Sequence, residues 1–214
     1  MRAARQPPRP AMDDGDFLEE ASRLALEGPD RASWRQRLGE YAAYKDFFGS
    51  AFVEAKEIRG AFRFRATYLG PWKVGPLWRE LEVLGSQTLE ALAEGIVRSM
   101  GWDNGHLHAF RLARHGARAR GLRRGFEITT DTGGESDARH PQYMTNGVLV
   151  SHVDHWRYPL MHFEFDFGDG HEFAVAFMGI RPLAKGERAS GYPRLVDQRG
   201  VAPEQYPDPV GGAE

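Results

Sequence analysis

His106 and His108, which are separated by a single residue, are the side chains of this chain best suited to chemistry. They lie in the stretch GWDNGHLHAF, residues 101–110. On a strand, side chains two residues apart point to the same face, about 7 Å from one another. Two imidazoles at that spacing can reach one Zn²⁺ or another divalent ion, and a carboxylate can complete an open site. A structural alternative stays open, in which His106 caps the turn after Gly105 and His108 hydrogen-bonds a neighbour on a half-buried face.

Carboxylates that could complete such a site lie further along the chain, in the stretch FDFGDGHEF. His171 adjoins them there, and the run HVDH at residues 152–155 adds two more imidazoles. The predicted metal ligands are therefore His106, His108, Asp166 and Asp169. A divalent ion held by them would predict a metal-dependent hydrolase. Aspartates next to glycine also accept backbone N–H groups in tight turns, so a purely structural role for both carboxylates stays open as well.

A group of arginines follows the two histidines in a segment that also contains glycine. Its members are Arg111, Arg114, Arg118, Arg120, Arg123 and Arg124. Guanidinium groups in a flexible loop can bind a phosphate backbone or an acidic partner, which makes the last five a candidate nucleic-acid or phosphate site. A solvated loop without a ligand is the alternative. The formal net charge of the chain is −2, whereas dedicated nucleic-acid-binding domains are usually strongly basic.

Two other catalytic classes find no support in the residues. The letters of Asp166-Phe167-Gly168 match the DFG of protein kinases, but neither an HRD-type loop nor a glycine-rich phosphate loop accompanies them. Strand exchange by a recombinase needs a nucleophilic Ser or Tyr surrounded by arginines that hold the scissile phosphate. The serines are scattered, and Tyr143 and Tyr158 have no matching arginine and histidine frame. The sequence therefore does not predict either activity.

The composition is that of an ordinary globular chain. It has 214 residues, of which 41% are hydrophobic and 27% charged, enough for one domain with an extension or for two small ones. No run approaches the roughly 18 apolar residues of a membrane helix. The absence of cysteine excludes disulfides and thiolate metal sites and agrees with a cytoplasmic location. Residues 1–11 are basic without an apolar core, which predicts a disordered leader, and Met12 is an alternative start.

Residues 12–60 are predicted to form an N-terminal helical extension. Apolar residues recur at helical spacing up to Gly28, which ends the first helix. A second helix is predicted to begin with Asp30 or Ser33 as its N-cap and to end at Gly49. Because this region carries no catalytic motif, we expect the helices to dock on the following domain or to join two copies of the chain into a homo-oligomer.

Residues 61–214 are predicted to form an α+β domain. The stretches AFRFRATYLG and PLWRELEVLG have the alternating pattern of half-buried strands. The clearest helix of the chain follows, with Ser86 or Thr88 as its N-cap and Gly101 just past its end. The predicted fold class is thus α+β, with a mixed, mostly antiparallel sheet packed against a central helix and preceded by the helical extension.

The rest of this domain is predicted to alternate between regular and irregular segments. Residues 113–142 show neither the helical nor the strand period, which predicts a mobile insertion. The run GVLVSHV predicts a short strand, and the following alternating runs predict a β-hairpin that turns at Gly168-Asp169-Gly170. Phe163, Phe165 and Phe167 are expected in the core. The tail from Gly191 is rich in Pro and Gly and is expected to lie extended without regular structure.

Three stretches taken together resemble the plasmid pRiA4b ORF-3-like family. They are GW-x-N-x-HLH-x-F from Gly101, the DFGD run from Asp166, and a tail that reads GYPRLV followed by APEQ. The resemblance covers about residues 62–211 and leaves the N-terminal helices outside it. It implies an α+β domain and an association with plasmids and transposable elements, where relatives occur as passenger proteins with a resolvase label. It implies no established reaction.

The chain departs from the family pattern at two places. Relatives usually read DFGD-x-W-x-H, whereas this chain has His171 at the tryptophan position and Phe173 at the histidine position. A role of that family histidine is therefore not carried over. In the tail, Gln205 follows Pro203-Glu204 where relatives tend to have an acid.

The function expected from these observations is that of a non-enzymatic accessory or interaction protein of plasmid or transposable-element origin. Its partner would be a protein or a nucleic acid that the sequence does not identify, and no membrane partner is expected. Two alternatives accompany this expectation. One is a metal-dependent hydrolase with the His/Asp site and a divalent metal such as zinc. The other is a nucleic-acid-binding accessory protein that uses the arginine-rich segment.

Overall fold

The computed structural model describes residues 8–10, 13–53, 60–114, 116–118, 125–130 and 140–206. Within these residues there are three α-helices and seven β-strands. The helices are α1 (Asp14–Glu27), α2 (Arg31–Ala51) and α3 (Leu89–Met100). The strands are β1 (Gly60–Gly70), β2 (Trp78–Leu84), β3 (His108–Ala113), β4 (Glu127–Thr129), β5 (Leu160–Phe165), β6 (His171–Pro182) and β7 (Arg194–Arg199).

The seven strands form one sheet in the order β4-β3-β5-β6-β1-β2-β7. Every pair of neighbouring strands in it is antiparallel. The predicted α+β class is confirmed, with a central helix and an N-terminal helical pair. Strands β5 and β6 form the predicted hairpin, in which Phe165 lies opposite His171. Because β6 and β1 are antiparallel, the start of β6 and the end of β1 lie at the same end of the sheet.

Helix α3 begins and ends where its capping residues predict. The hydroxyl of Thr88 accepts a hydrogen bond from the Ala91 N–H at 3.2 Å, which satisfies one of the unpaired donors of the first turn. Gly101 follows the helix with φ 78°, a left-handed conformation that glycine adopts without a Cβ penalty. The apolar face of the helix includes Leu92 and Ile96, both fully buried against the sheet in the main hydrophobic cluster.

Helix α2 is part of the same core. It begins at the predicted N-cap, Asp30, whose side chain accepts from the Ser33 N–H, but it continues two residues beyond Gly49 to Ala51. Its side chains Tyr44, Phe48 and Ala51 are buried in the main cluster. The ring of Tyr44 stacks on that of Tyr143 with centroids 5.6 Å apart. The extension therefore docks on the sheet domain of its own chain.

The sheet has an apolar and a charged face, as the alternation in β1 predicts. On the charged face, Arg63 and Arg65 both pair with the buried carboxylate of Glu80 on β2. Glu82, two residues further along β2, pairs with Arg181 at 2.8 Å and with Arg194 at 2.7 Å. These guanidinium groups hold the pKa of Glu82 below its ordinary range, through the hydrogen bond from Arg181 first. Cross-strand ion pairs thus tie β6, β1, β2 and β7 together.

Three sequence expectations about secondary structure were wrong. The run GVLVSHV contains a short 3₁₀-helix, Val150–His152, rather than a strand. The tail contains β7, which pairs with β2 at the sheet edge. The segment 113–142 contains β4, whose three residues pair with β3. All three depend on contacts distant in the chain, which local periodicity does not report. Most of the predicted leader and about half of the predicted insertion lie outside the described residues, at positions 1–7, 11–12, 115, 119–124 and 131–139.

Among the described residues, none of the helices combines the length and the apolar character needed to cross a membrane.

Candidate functional site

Three separate stretches of the chain meet at the end of the sheet where β3 begins and β5 ends. The Asp166 N–H donates to the Leu107 carbonyl at 2.9 Å, which joins the HLH stretch to the DFGD turn. The indole N–H of Trp102 donates to the Pro203 carbonyl at 2.9 Å, which joins the same stretch to the tail. Residues 59 and 101 positions apart in sequence are therefore neighbours, and this end of the sheet is the candidate site.

His106 lies at the centre of this contact. Its Nδ1 is 3.3 Å from a carboxylate oxygen of Asp166, and its Nε2 is 2.5 Å from the hydroxyl of Tyr206. His106 is exposed, and so are the neighbouring side chains of Leu107, Phe167 and Tyr206. We call the five residues His106, Leu107, Asp166, Phe167 and Tyr206 the motif surface. The imidazole bridges a carboxylate and a phenol, so two of its neighbours fix its orientation.

Asp166 is the residue that turns the chain away from β5. Its φ is 54°, a left-handed conformation that Asp and Asn tolerate better than other non-glycine residues. Its Oδ1 accepts from the N–H groups of Gly168 at 3.2 Å and Asp169 at 3.4 Å, so the carboxylate stabilises the turn as well as contacting His106. The chain leaves the strand here, which explains why Phe167 is exposed, contrary to its expected place in the core.

His108 lies on the other side of the backbone, within the core. It is buried, its Nε2 is 3.1 Å from the Thr145 hydroxyl, and its ring packs against that of Phe163. Burial lowers the pKa of its imidazole to about 4. Because β3 begins at His108, His106 precedes the strand and the two side chains do not share a strand face.

Of the four predicted metal ligands, the structure brings His106 and Asp166 into contact. His108 binds Thr145 instead, and Asp169 is an exposed turn residue. The described part of the chain holds no group of three His, Asp or Glu side chains placed to bind one ion. His171 is not part of such a group either: it is fully buried, with its ring centroid 4.2 Å from that of Trp102. Burial lowers the pKa of His171 as well.

Gln205 fastens the tail to this end of the sheet. Its amide oxygen accepts from the Asp103 N–H at 2.7 Å, and its amide nitrogen donates to the Asp103 carbonyl at 3.0 Å. The same nitrogen donates to the Tyr206 hydroxyl at 3.0 Å. Gln205 is buried, so its amide group makes these hydrogen bonds in place of hydrogen bonds to water. The side chain thus pairs with a backbone unit as a neighbouring strand would, and it places Tyr206 beside His106.

We expect Gln205→Ala to lower the free energy of unfolding by about 1–3 kcal/mol, because the N–H and carbonyl of Asp103 and the Tyr206 hydroxyl each lose a hydrogen bond. Urea denaturation followed by tryptophan fluorescence measures the change. Gln198→Ala on the exposed strand β7 is the matched control and should change the stability by less than about 0.5 kcal/mol. Equal effects of the two substitutions would contradict the assigned role of Gln205.

The motif surface is partly apolar, and the exposed Asp103 and Asp169 beside it make its surroundings acidic. Partial desolvation, and then the negative charges of Asp166, Asp103 and Asp169, raise the pKa of the Tyr206 phenol. Leu107 is 45% exposed, Phe167 44% and Tyr206 54%. Large apolar side chains next to carboxylates form a surface that can bind a partner with both apolar and cationic groups.

Of the five arginines in the predicted phosphate site, two lie among the described residues, so the site stays a prediction. Arg114 lies over the ring of Tyr158, 5.9 Å from its centroid. Arg118 is the other member that the structure describes, and Arg120, Arg123 and Arg124 lie outside the described residues. Arg111, which precedes them, is a buried residue of β3 that pairs with Glu127 at 2.6 Å and Glu164 at 2.7 Å.

Two residues of this site were missed in the sequence, Gln205 and Tyr206. The tail was expected to be irregular, and nothing local in APEQY marks a contact with residues about 100 positions earlier. The resemblance to a family did point to APEQ as one of three shared stretches. This shared family pattern is the signal in the sequence that could have indicated Gln205.

The comparisons with known proteins concern the domain that carries this site. The family profile described as plasmid pRiA4b ORF-3-like protein matches residues 71–214, which include every residue of the motif surface. The crystal structure of a protein of unknown function from Methanosarcina mazei Go1 is similar, with a TM-score of 0.53 and 21% sequence identity. The match covers 70% of this chain and 76% of that one, and at this identity it shows a shared fold alone. No curated protein is significantly similar to the chain.

Proposed function

Because the chain belongs to the plasmid pRiA4b ORF-3-like family, whose description names no reaction, we propose that it is an accessory protein that binds a partner protein and has no catalytic step of its own. The partner contacts the motif surface through a segment that combines cationic and apolar side chains. The convergence of the three family stretches on one exposed, acidic and partly apolar surface is the observation that carries this proposal.

The geometry of the surface supports binding in two ways. Leu107, Phe167 and Tyr206 together expose large apolar area, and burial of such area against a partner stabilises a complex by about 25 cal/mol per Å² before the costs of association. The hydrogen bonds of Gln205 and Trp102 hold the tail in place before any partner arrives. A surface that is already ordered loses less conformational entropy on binding.

The charge of the surface supports a cationic rather than an anionic partner. Asp103, Asp166 and Asp169 all act on the Tyr206 phenol with negative charge. A nucleic acid would bring phosphates against these carboxylates, whereas a segment with Lys or Arg would be attracted to them. This is why we place the partner among proteins.

Selection of short random peptides on the full-length protein tests the proposal. We expect the selected peptides to combine Lys or Arg with an apolar residue and to bind Tyr206→Ala and Leu107→Ala about tenfold more weakly than the wild type. Leu26→Ala, which removes an exposed apolar side chain from α1, is the matched control and should bind like the wild type. Binding should weaken as salt is raised. Selected peptides that are acidic, or that bind Tyr206→Ala as tightly as the wild type, would contradict the proposal.

A metal-dependent hydrolase is the second candidate, and the contact of His106 with Asp166 is the observation that favours it. Elemental analysis of the purified protein, with the His106→Ala variant for comparison, separates it from the first, because His106 is exposed whereas His108 is a core residue. Stoichiometric zinc that His106→Ala loses would support the hydrolase. Absence of metal from the wild type would remove it.

A plasmid or transposable-element origin and a cytoplasmic location complete the proposal. The description of the family, which names a plasmid, supports the first of these. Binding through the arginine-rich segment stays a prediction, and a nucleic-acid titration at low and high salt measures it.

A further inference from the structure

A cavity lies at the opposite end of strands β1 and β6 from the motif surface. Its volume is about 70 Å³, and it lies beside the 3₁₀-helix at Val150–His152. By the ~10–15 Å³ that one water requires, it has room for about five water-sized groups. Its lining residues are Val53, Phe62, Ser151, Val153, Asp154, His155, Trp156, Phe177 and Ile180.

Aromatic rings form much of the cavity wall. The rings of Trp156 and Phe177 are nearly perpendicular, at 88°, with centroids 5.2 Å apart. The His155 ring stacks on Phe177 at 5.1 Å, and Phe62 lies 6.0 Å from Phe177. Trp156 is 75% exposed, an unusual position for the largest side chain and one that keeps its ring available at the mouth of the cavity. Trp156, Phe177 and Phe62 thus line the cavity with three rings, of which Phe177 contacts the other two.

The polar groups of the cavity favour a cation. Asp154 is the acidic residue of the lining, and its exposed Oδ1 accepts from the Arg157 N–H at 3.2 Å. His155 is buried, its Nε2 is 2.9 Å from the Val150 carbonyl, and its Nδ1 has no hydrogen-bond partner among the described residues. Burial lowers the pKa of His155 to about 4, so the imidazole is neutral and does not repel a cation. The nearest basic residue in sequence, Arg157, contacts the Tyr158 ring and the Ser50 carbonyl instead.

From these observations we infer that the cavity binds the alkylated ammonium group of a small free molecule. The rings of Trp156, Phe177 and Phe62 stabilise the cation through their π-faces, and the Asp154 carboxylate supplies the opposite charge. A strongly hydrated ion such as ammonium or potassium would lose its water in this apolar setting, whereas a methylated cation loses little. The volume of the cavity suits such a head group. This inference does not depend on the function of the motif surface.

Choline and its uncharged carbon isostere dimethylbutanol test the inference, because they differ in charge and hardly in shape. We expect choline to shift the indole resonance of Trp156 in an NMR titration of the full-length protein and to bind at least about fivefold more tightly than dimethylbutanol. Asp154→Asn should weaken choline binding and leave dimethylbutanol unaffected. Trp156→Ala should abolish choline binding, and since the ring is mostly exposed, the variant should fold as the wild type does, which circular dichroism checks. Trp72→Ala, a partly exposed tryptophan at the other end of β1, is the matched control.

Several results would overturn the inference. Equal or tighter binding of dimethylbutanol would make the cavity a site for neutral apolar groups. Choline binding that survives Trp156→Ala would place the cation elsewhere, and lack of binding by either molecule would remove the site. Phosphatidylcholine vesicles form the last arm: binding to vesicles without binding of free choline would mean that the ammonium belongs to a membrane and not to a small free molecule.

Discussion

Replacement of Tyr44 by alanine is expected to lower the free energy of unfolding by about 3–5 kcal/mol, because the ring fills the junction between helix α2 and the sheet. Tyr44 is 1% exposed, and its ring contacts those of Phe48 and Tyr143. Its hydroxyl accepts from the Tyr143 N–H at 2.7 Å and donates to the Glu127 carbonyl at 3.0 Å. Both backbone groups would lose their partner together with the ring contacts.

Urea denaturation of the full-length chain measures this effect. Tyr44→Phe keeps the ring and removes the hydroxyl, so it should cost about 1–3 kcal/mol and isolate the hydrogen bonds. Leu26→Ala is the control, because Leu26 is a large apolar side chain of the same helical pair but is exposed on α1. It should change the free energy of unfolding by less than about 0.5 kcal/mol. If Tyr44→Ala unfolded no more easily than Leu26→Ala, the N-terminal helices would not be part of the core.

Acidification from pH 6.5 to 4 is expected to destabilise the protein through its buried histidines. Burial lowers the pKa of His108 and of His155 to about 4, whereas a histidine of the unfolded chain titrates near 6.5. Between these values the unfolded chain binds more protons than the folded one, so the free energy of unfolding falls as the pH falls. Each histidine contributes roughly 1.4 kcal/mol per pH unit, or about 3 kcal/mol over the whole window.

Urea denaturation at a series of pH values tests this expectation. His108→Gln removes one titrating group, so the dependence of the free energy of unfolding on pH between 6.5 and 4 should fall by about one proton. Leu26→Ala removes none and should keep the wild-type dependence. Glu187, which pairs with Arg181 at 2.8 Å, contributes at lower pH than the histidines do. The hydrogen bond from Arg181, first among the causes, lowers its pKa to about 2, so its contribution to stability is present above about pH 4.5 and decreases below that value. A stability that stays constant down to pH 4.5 would show that the histidines are not held neutral.

The sequence determined those parts of the structure that depend on neighbours a few residues apart. Helical spacing and the capping residues Asp30, Thr88 and Gly101 placed the helices, and alternation placed β1, β2 and the β5–β6 hairpin. These signals succeed because a helix turn and a strand pleat are formed by residues within four positions of one another. The end of α2 was missed by two residues because the core contacts of Phe48 and Ala51 extend the helix beyond Gly49.

The arrangement of side chains in the candidate site depended on the tertiary structure much more than the helices and strands did. His106 and His108 were expected on one strand face, but β3 begins at His108, so one imidazole enters the core and the other reaches Asp166. The His106 imidazole contacts Tyr206 on its other side, and Tyr206 lies 100 residues further along the chain. Periodicity carries no information about such a contact, since it compares only residues that are close in sequence.

The same distinction applies to the two candidate binding regions: the sequence nominates some of their residues, and the strand order decides which of them meet. Residue types and spacing were enough to nominate His106 and Asp166, and the resemblance to a family named the stretches in which they and Gln205 occur. Only the antiparallel order of the seven strands decided which of these stretches meet. The same order places the aromatic cavity around Trp156 at the far end of strands β1 and β6. Sheet order is set by the summed burial and pairing of all strands at once, so no single segment of the sequence contains it.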